Sequence, residues 1–303
     1  MKKRFALIGA AGYIAPRHMD AIKQLGHGLV AAYDPFDSVG VIDRYAPDAA
    51  FFTEFERFDR HLEKLKRKGE GVDYVTVCSP NYLHDAHARF GLRLGADVIC
   101  EKPLVLHERN ATGLLEAEAE SGQAVYCILQ ARLHPEAARL HEHIKLLNRS
   151  SRPQVNIDYI TPRGTWYDYS WKGNESKSGG VATNIGVHLF DLTLSNFGEF
   201  KSIHIDEREP RFCTGLLILD RADVRFKLSV NHEILPDGSV GRRRVFNVDG
   251  EAFDLSGGFE DLHVKSYASI LQGEGYRVAD AIPAIRLVQA IREVPVGETI
   301  TFP

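Results

Sequence analysis

Two side chains in this sequence sit in settings that suit proton handling at a reacting hydroxyl. Lys102 closes the short apolar run Ala96-Asp97-Val98-Ile99-Cys100, after Glu101, and Pro103 follows at once. The proline ring fixes the backbone there, so the lysine is held at a turn rather than on a flexible surface helix. His188 lies in Gly179-Gly180-Val181-Ala182-Thr183-Asn184-Ile185-Gly186-Val187-His188-Leu189-Phe190-Asp191. Read as a helix, this stretch puts Asn184 and His188 on one face, with Asp191 three residues further on. An imidazole takes a proton near neutral pH, which oxidation of an alcohol to a ketone requires. A lysine beside an oxidised nicotinamide has its pKa pulled down by the like charge, and it can stabilise a developing alkoxide. The plainer alternatives are a surface lysine paired with Glu101 and a histidine satisfied by its own core.

Such chemistry needs a hydride acceptor, and the start of the chain offers a place for one. Gly9-Ala10-Ala11-Gly12-Tyr13-Ile14-Ala15 follows a strand and precedes a helix, with Pro16 near the helix start. Glycines let the backbone approach a pyrophosphate, whose charge the helix N-terminus favours. The spacing is GxxGxxA rather than GxGxxG, and a tight strand–helix turn alone needs the same residues. Asp34 adds context: it ends the second strand about twenty residues on, where an acid accepts from adenine ribose hydroxyls. No arginine follows in Pro35-Phe36-Asp37-Ser38 to hold a 2′-phosphate, so NAD is expected over NADP. The competing reading is that Asp34 caps the next turn. Ser79-Pro80-Asn81, after another apolar strand, can reach the nicotinamide end or simply start the next helix.

The elements that position these residues follow from periodicity. Residues 4–8, 29–33, 73–77, 97–100 and 124–128 are short apolar runs, and 54–68, 84–94 and 108–121 between them have helical spacing. Strands alternating with helices build a parallel sheet. A helix is expected from Pro135 to about residue 147. Beyond it, 154–160, 202–207, 215–219, 224–230 and 244–248 alternate polar and apolar, the mark of an antiparallel sheet with one covered face. Late helices are expected over 260–271 and 279–291. The fold class is therefore α/β: a Rossmann-type parallel sheet over 1–128, then an α+β domain with an open, mostly antiparallel sheet over 129–303.

Composition narrows the function. A net charge of −4 with no long run of one sign favours neither nucleic acid nor a membrane surface as partner. No run of 18 apolar residues exists, and Phe5-Ala6-Leu7-Ile8 breaks at Gly9, too short for a signal sequence, so a cytoplasmic protein is expected. Cys78, Cys100, Cys127 and Cys213 form no CxxC pair and read as small buried residues. Neither His84 with His87 nor His141 with His143 has a carboxylate or cysteine to complete a ligand set, so no metal is expected.

The glycine turn, Glu101-Lys102-Pro103 and the segment from Gly179 to Asp191 resemble the glucose–fructose oxidoreductase and inositol dehydrogenase (Gfo/Idh/MocA) family over the whole chain. Longer stretches resemble one branch, the bacterial UDP-N-acetylglucosaminuronate 3-dehydrogenases: Gly9 through Pro16-Arg17-His18, Ser79 through Tyr82-Leu83-His84, Arg163-Gly164-Thr165-Trp166-Tyr167, Ser170-Trp171-Lys172-Gly173 and Val181 through His188. The resemblance implies NAD-dependent oxidation of the C3 hydroxyl of UDP-2-acetamido-2-deoxy-D-glucuronate. The 3-keto product would feed biosynthesis of diacetamido uronic acids for surface polysaccharide such as O-antigen. It extends the cofactor-binding set from Gly9, Gly12, Asp34, Ser79, Asn81 and Lys102 to Tyr13, Ile14, His84, Glu101 and Gln130. Lys102, Arg163, Tyr167, Trp171, Lys172, Thr183, Asn184 and His188 would meet the substrate. The broader family carries an aspartate four residues before its histidine; here Asn184 stands there, leaving His188 and Lys102 as the ionisable pair. The resemblance also implies 2-oxoglutarate as a reoxidant in some members, and a homo-tetramer built on the open sheet face.

The loop 161–177 fits that substrate class. Trp166, Tyr167, Tyr169 and Trp171 lie among Arg163, Lys172 and Lys177, so cations can meet a diphosphate or carboxylate and rings can pack on a uracil or sugar. Subunit contact is the alternative for the tryptophans. Two rival functions are weighed. A dehydrogenase of a free sugar or polyol would leave those cations without a diphosphate. A non-catalytic dinucleotide sensor would be free to lose Lys102 and His188.

Overall fold

Strands β1 (Arg4–Ile8), β2 (Gly28–Tyr33), β3 (Ala50–Phe52), β4 (Tyr74–Val77), β5 (Asp97–Cys100) and β6 (Val125–Cys127) form a wholly parallel sheet in the order β3-β2-β1-β4-β5-β6 in the computed structural model. The structure describes residues 1–147, 152–235 and 238–302. All four residues of β4 are buried, as a strand covered on both faces requires. This sheet organises one unit, made of residues 1–105, 109–128 and 263–281. Its core includes Phe5, Leu7, Met19 and Ile99 together with Tyr267 and Ile270 from the late helix Leu262–Leu271.

A second unit comprises residues 106–108, 129–262 and 282–303. Its sheet adds β7 (Gln154–Ile160), β8 (Phe200–Glu209), β9 (Phe212–Leu219), β10 (Asp223–Ser229), β11 (Arg243–Val248), β12 (Glu251–Asp254) and β13 (Thr299–Thr301), ordered β12-β11-β7-β10-β9-β8-β13. Pairing is antiparallel except between β7 and β10, whose residues run side by side from Gln154–Asp223 to Ile160–Ser229. Along β9 the buried positions are Cys213, Gly215, Leu217 and Leu219, and the half-buried ones are Phe212, Thr214, Leu216 and Ile218. That is the two-residue alternation of a sheet with one covered face. The cover includes the helix Val187–Phe197, whose Phe190 meets Phe226 of β10 edge to face at 5.2 Å between ring centroids.

Three expectations change. The units are not divided once after residue 128: the chain returns to the first unit at residue 263, because Tyr267 and Ile270 bury themselves in its core. Strands β3, β12 and β13 were not legible: they are as short as β4, β5 and β6 but, unlike them, are mostly half-buried or exposed, and β12 and β13 lack an apolar run. The single helix expected across Asn184 and His188 is two segments: a π-helical turn at Ala182–Gly186 leads into the α-helix from Val187.

Candidate active site

In the first unit the expected cofactor residues gather at the carboxyl ends of the parallel strands. After β1 the chain turns at Gly9, whose N–H and that of Ala10 donate to Tyr33 O at 2.8 and 3.2 Å. Gly9 has φ +93°, and a Cβ there would lie 2.6 Å from the Cys78 carbonyl carbon. Only glycine fits. Tyr13 is exposed and Ile14 half-buried at the entry to the helix Ala15–Gln24, which has Pro16 in its first turn. A turn that opens on glycine and alanine and runs into a helix N-terminus is the cradle a dinucleotide diphosphate needs.

Asp34 caps the turn that follows the second strand. It is buried, and its two oxygens accept from the backbone N–H groups of Ala11, at 2.9 Å, and Phe36, at 3.0 Å. It therefore ties the second strand to the glycine turn. A carboxylate offers about four lone-pair sites, so two accepted bonds leave capacity for ribose hydroxyls.

Around Lys102 the structure shows supports that sequence reasoning missed. Glu101 is 5% exposed, and its Oε1 accepts from His18 Nε2 at 2.9 Å and from His263 Nε2 at 3.0 Å. Its Oε2 accepts from the Lys102 backbone N–H at 3.1 Å. Burial alone would raise the Glu101 carboxyl, but the two histidine hydrogen bonds more than offset it and hold the group well below 4.5. His18 is itself lowered from 6.5, chiefly by burial. With Nε2–H donating, His18 Nδ1 is left to accept from the Tyr267 hydroxyl at 2.9 Å, which lies 3.0 Å from Thr76 Oγ1 on β4.

On the other side of Lys102, across a cis peptide to Pro103, His84 bridges two loops. Its Nδ1 lies 2.7 Å from Pro103 O and its Nε2 2.8 Å from Ser79 O. Ser79 Oγ lies 2.8 Å from His87 Nδ1, and Asn81 is buried in the short 3-10 turn Asn81–Leu83. Glu101 and His84, expected to bind cofactor, thus have their polar atoms on protein groups. Buried polar atoms must find partners inside. Both brace the edge from within.

The second unit collects the remaining residues. Gln130 is buried in the turn Gln130–Leu133. Thr183 and Asn184 lie in the π-helical turn and His188 in the first turn of the helix after it, all buried. Asp191 is committed elsewhere: Arg132 grips it with Nε to Oδ2 at 2.8 Å and Nη2 to Oδ1 at 2.6 Å. Thr183 Oγ1 accepts from Arg292 Nη1 at 2.6 Å.

The loop before this turn is built around a buried Tyr167. Burial pushes its phenol up, while Asn184, Arg211 and Arg163 pull the other way. Arg211 fastens the loop by donating to Asp168 Oδ1 at 2.8 Å and to the Arg163 carbonyl. Gly173 closes it, since a Cβ there would come within 2.6 Å of Tyr167 O. The Lys172 ammonium lies 4.8 Å from the Trp171 ring centroid and 5.7 Å from that of Trp166. Burial, then the charge of Arg163, lowers its pKa from 10.5. Among the described residues no carboxylate pairs with Lys172. Two neighbouring cations, Arg163 and Lys172, make a place for an anion.

A parallel sheet with a glycine turn at its first strand, followed in sequence by a mixed sheet whose covering helix carries a buried histidine, defines a dinucleotide-dependent oxidoreductase. The profile described as an oxidoreductase family with an NAD-binding Rossmann fold (GFO_IDH_MocA) matches residues 3–128, and that of the family's C-terminal alpha/beta domain matches 154–212. The chain belongs to this family, and its first unit is an NAD-binding domain. Among solved structures it is similar to the WlbA (WbpB) dehydrogenase of Thermus thermophilus in complex with NAD and UDP-GlcNAcA. The two share 44% identity over 98% of this chain and 97% of that one, with a TM-score of 0.94. The Thermus protein has also been solved with NAD and alpha-ketoglutarate. The curated relative YteT of Bacillus subtilis is 30% identical over 150 residues, 48% of this chain and 34% of its own length. The chain thus matches about a third of that relative.

Proposed function

We propose that this protein oxidises the C3 hydroxyl of UDP-2-acetamido-2-deoxy-D-glucuronate with NAD, supplying a 3-keto sugar for diacetamido uronic acids of surface polysaccharide. The observation that carries the reading is the Arg163–Lys172 cation pair with Trp166 and Trp171 beside it, in the same unit as His188. The diphosphate and uronate of this substrate answer those charges, and the uracil answers the rings. The 44% identity with the Thermus dehydrogenase, solved with UDP-GlcNAcA, supports the same substrate.

In this reading Gly9, Gly12 and the helix start at Ala15 hold the diphosphate of NAD, and Asp34 holds the adenine ribose. Bound nicotinamide supplies the hydride acceptor. Lys102 orients the C3 hydroxyl and stabilises negative charge on its oxygen, and His188 accepts the hydroxyl proton as the C3 hydride leaves. The balance is one hydride to the cofactor and one proton to His188. The same cations suit the two carboxylates of 2-oxoglutarate, which as reoxidant would take the hydride at its ketone carbon and a proton at its oxygen to give 2-hydroxyglutarate. We further read the protein as a cytoplasmic homo-tetramer, a reading supported by the half-buried Leu216 and Ile218 on the open face of β9.

The test is purified protein with NAD and UDP-N-acetylglucosaminuronate, with and without 2-oxoglutarate, followed by mass spectrometry of the sugar nucleotide. A product lighter by two hydrogens, deuterium-sensitive at C3, is expected. Oxidation of free sugars or polyols with the nucleotide sugar untouched would overturn the assignment.

A further inference from the structure

We propose that His18 and His263 are positioning residues for Lys102, acting through the Glu101 carboxylate. The inference rests on the reading of Lys102 as the group that meets the reacting oxygen. Its geometry lies within the first unit alone. Glu101 Oε1 takes both Nε2–H bonds, and Oε2 takes the Lys102 main-chain N–H. The three donors come from separate places in the chain: the helix after the glycine turn, the helix Leu262–Leu271, and the strand end itself. A carboxylate held at both oxygens has no freedom to swing, so the backbone that carries Lys102 has none either. Tyr267 extends the clamp to β4 by way of His18 Nδ1 and Thr76.

The three ligand-type atoms of His18, Glu101 and His263 lie within 4.8 Å of one another, so a bound metal is the alternative. The separations of 2.9 and 3.0 Å between nitrogen and oxygen are those of N–H···O bonds, and they favour protons as the link. Displacing a catalytic group by about 1 Å can cost about a hundredfold in rate, which gives such a clamp a measurable function.

The first measurement needs no substrate: amide hydrogen exchange at Lys102 in the full-length protein. In His18→Leu and His263→Leu the Lys102 amide should exchange faster by about tenfold or more, since its charged acceptor is no longer held. The Gln variants, which keep an N–H near the Nε2 position, should restore slow exchange, and Tyr267→Phe, which keeps the buried ring, should give an intermediate rate. Turnover supplies the second measurement, on whichever alcohol the wild-type protein oxidises. His263→Leu should lower kcat by about 10- to 100-fold with NAD affinity little changed. In a Lys102→Arg background it should lower kcat no further, as expected of residues acting as one unit. Unchanged exchange at Lys102 in both Leu variants, or full additivity with Lys102→Arg, would overturn the proposal. So would one chelator-removable zinc per chain. If the protein oxidises a sugar other than the UDP-uronate, the substrate assignment fails while the exchange result and the cycle still decide this one.

Discussion

Arg132 and Asp191 form a two-point guanidinium–carboxylate pair, with bonds of 2.8 and 2.6 Å around an aspartate that is 2% exposed. The arginine lies in the turn Gln130–Leu133, and the aspartate lies one turn beyond His188 on its helix. The pair therefore ties the His188 helix to the turn at Gln130.

Removing one partner leaves the other charged and poorly solvated. Asp191→Ala should destabilise the protein by about 3–5 kcal/mol, whereas Arg132→Met combined with Asp191→Leu should cost far less, because no charge is left unpaired. Denaturant unfolding of the three proteins, read at constant m, checks this. A loss below about 1 kcal/mol for Asp191→Ala would show the pair to be solvent-compensated.

His188→Asn should keep cofactor and substrate binding and lower turnover by about 10²–10⁴, the usual worth of a positioned general base. The acidic limb of the pH–rate profile near neutrality should vanish with it. Lys102→Ala should damage both binding and rate, since its bond to the hydroxyl exists before and during hydride transfer. Near-normal turnover in His188→Asn with none in Lys102→Met would reverse the two roles.

Arg163→Ala should weaken nucleotide-sugar binding and leave NAD binding intact. Its charge acts on Lys172 in the same unit, and loss of a charge-assisted partner costs about 2–5 kcal/mol when the other partner stays buried. Calorimetric titration of both ligands separates the effects. Unchanged sugar affinity would relegate Arg163 to holding the loop, which its main chain already does through Arg211 and Val230.

Asp34 should make NAD(H) bind much more tightly than NADP(H), because the carboxylate repels a 2′-phosphate. Asp34→Ala should erase that preference and also cost stability of about 1–3 kcal/mol, since the Ala11 and Phe36 N–H groups lose their acceptor. Equal binding of the two cofactors to the wild-type protein would refute the assignment.

Acid should weaken the fold in two stages. His18, His84 and His87 are lowered from 6.5, chiefly by burial, His87 to about 4. Between 6.5 and their folded values the unfolded chain binds protons that the folded one does not, so stability falls as pH drops through that window. Glu101, held well below 4.5, contributes above 4.5 and loses its contribution as pH falls further toward its folded value. Urea midpoints from pH 8 to 4 should decline, and His87→Gln should flatten the stretch between 6.5 and 4. An unchanged slope in that variant would assign the acid sensitivity to other groups.

The sequence by itself determined what repeats along the chain. Mostly apolar runs such as Tyr74–Val77 and alternating ones such as Gln154–Ile160 state how many faces each strand buries, and so foretell a parallel sheet followed by a half-covered one. Gly9 and Lys102-Pro103 are legible because local backbone chemistry demands those residue types. What it could not state is which distant groups meet. His263 reaches Glu101 from 162 residues away, and nothing in the spacing of either residue requires the other. Asp191 reads equally well as a partner of His188 until Arg132, 59 residues earlier, is seen to take it. The π-helical turn at Ala182–Gly186 breaks the i, i+4 register that Asn184 and His188 suggest, because tertiary packing rather than local propensity sets it. Hydrogen bonds between buried polar groups are chosen by the packing that brings the elements together, and only the tertiary structure makes that choice.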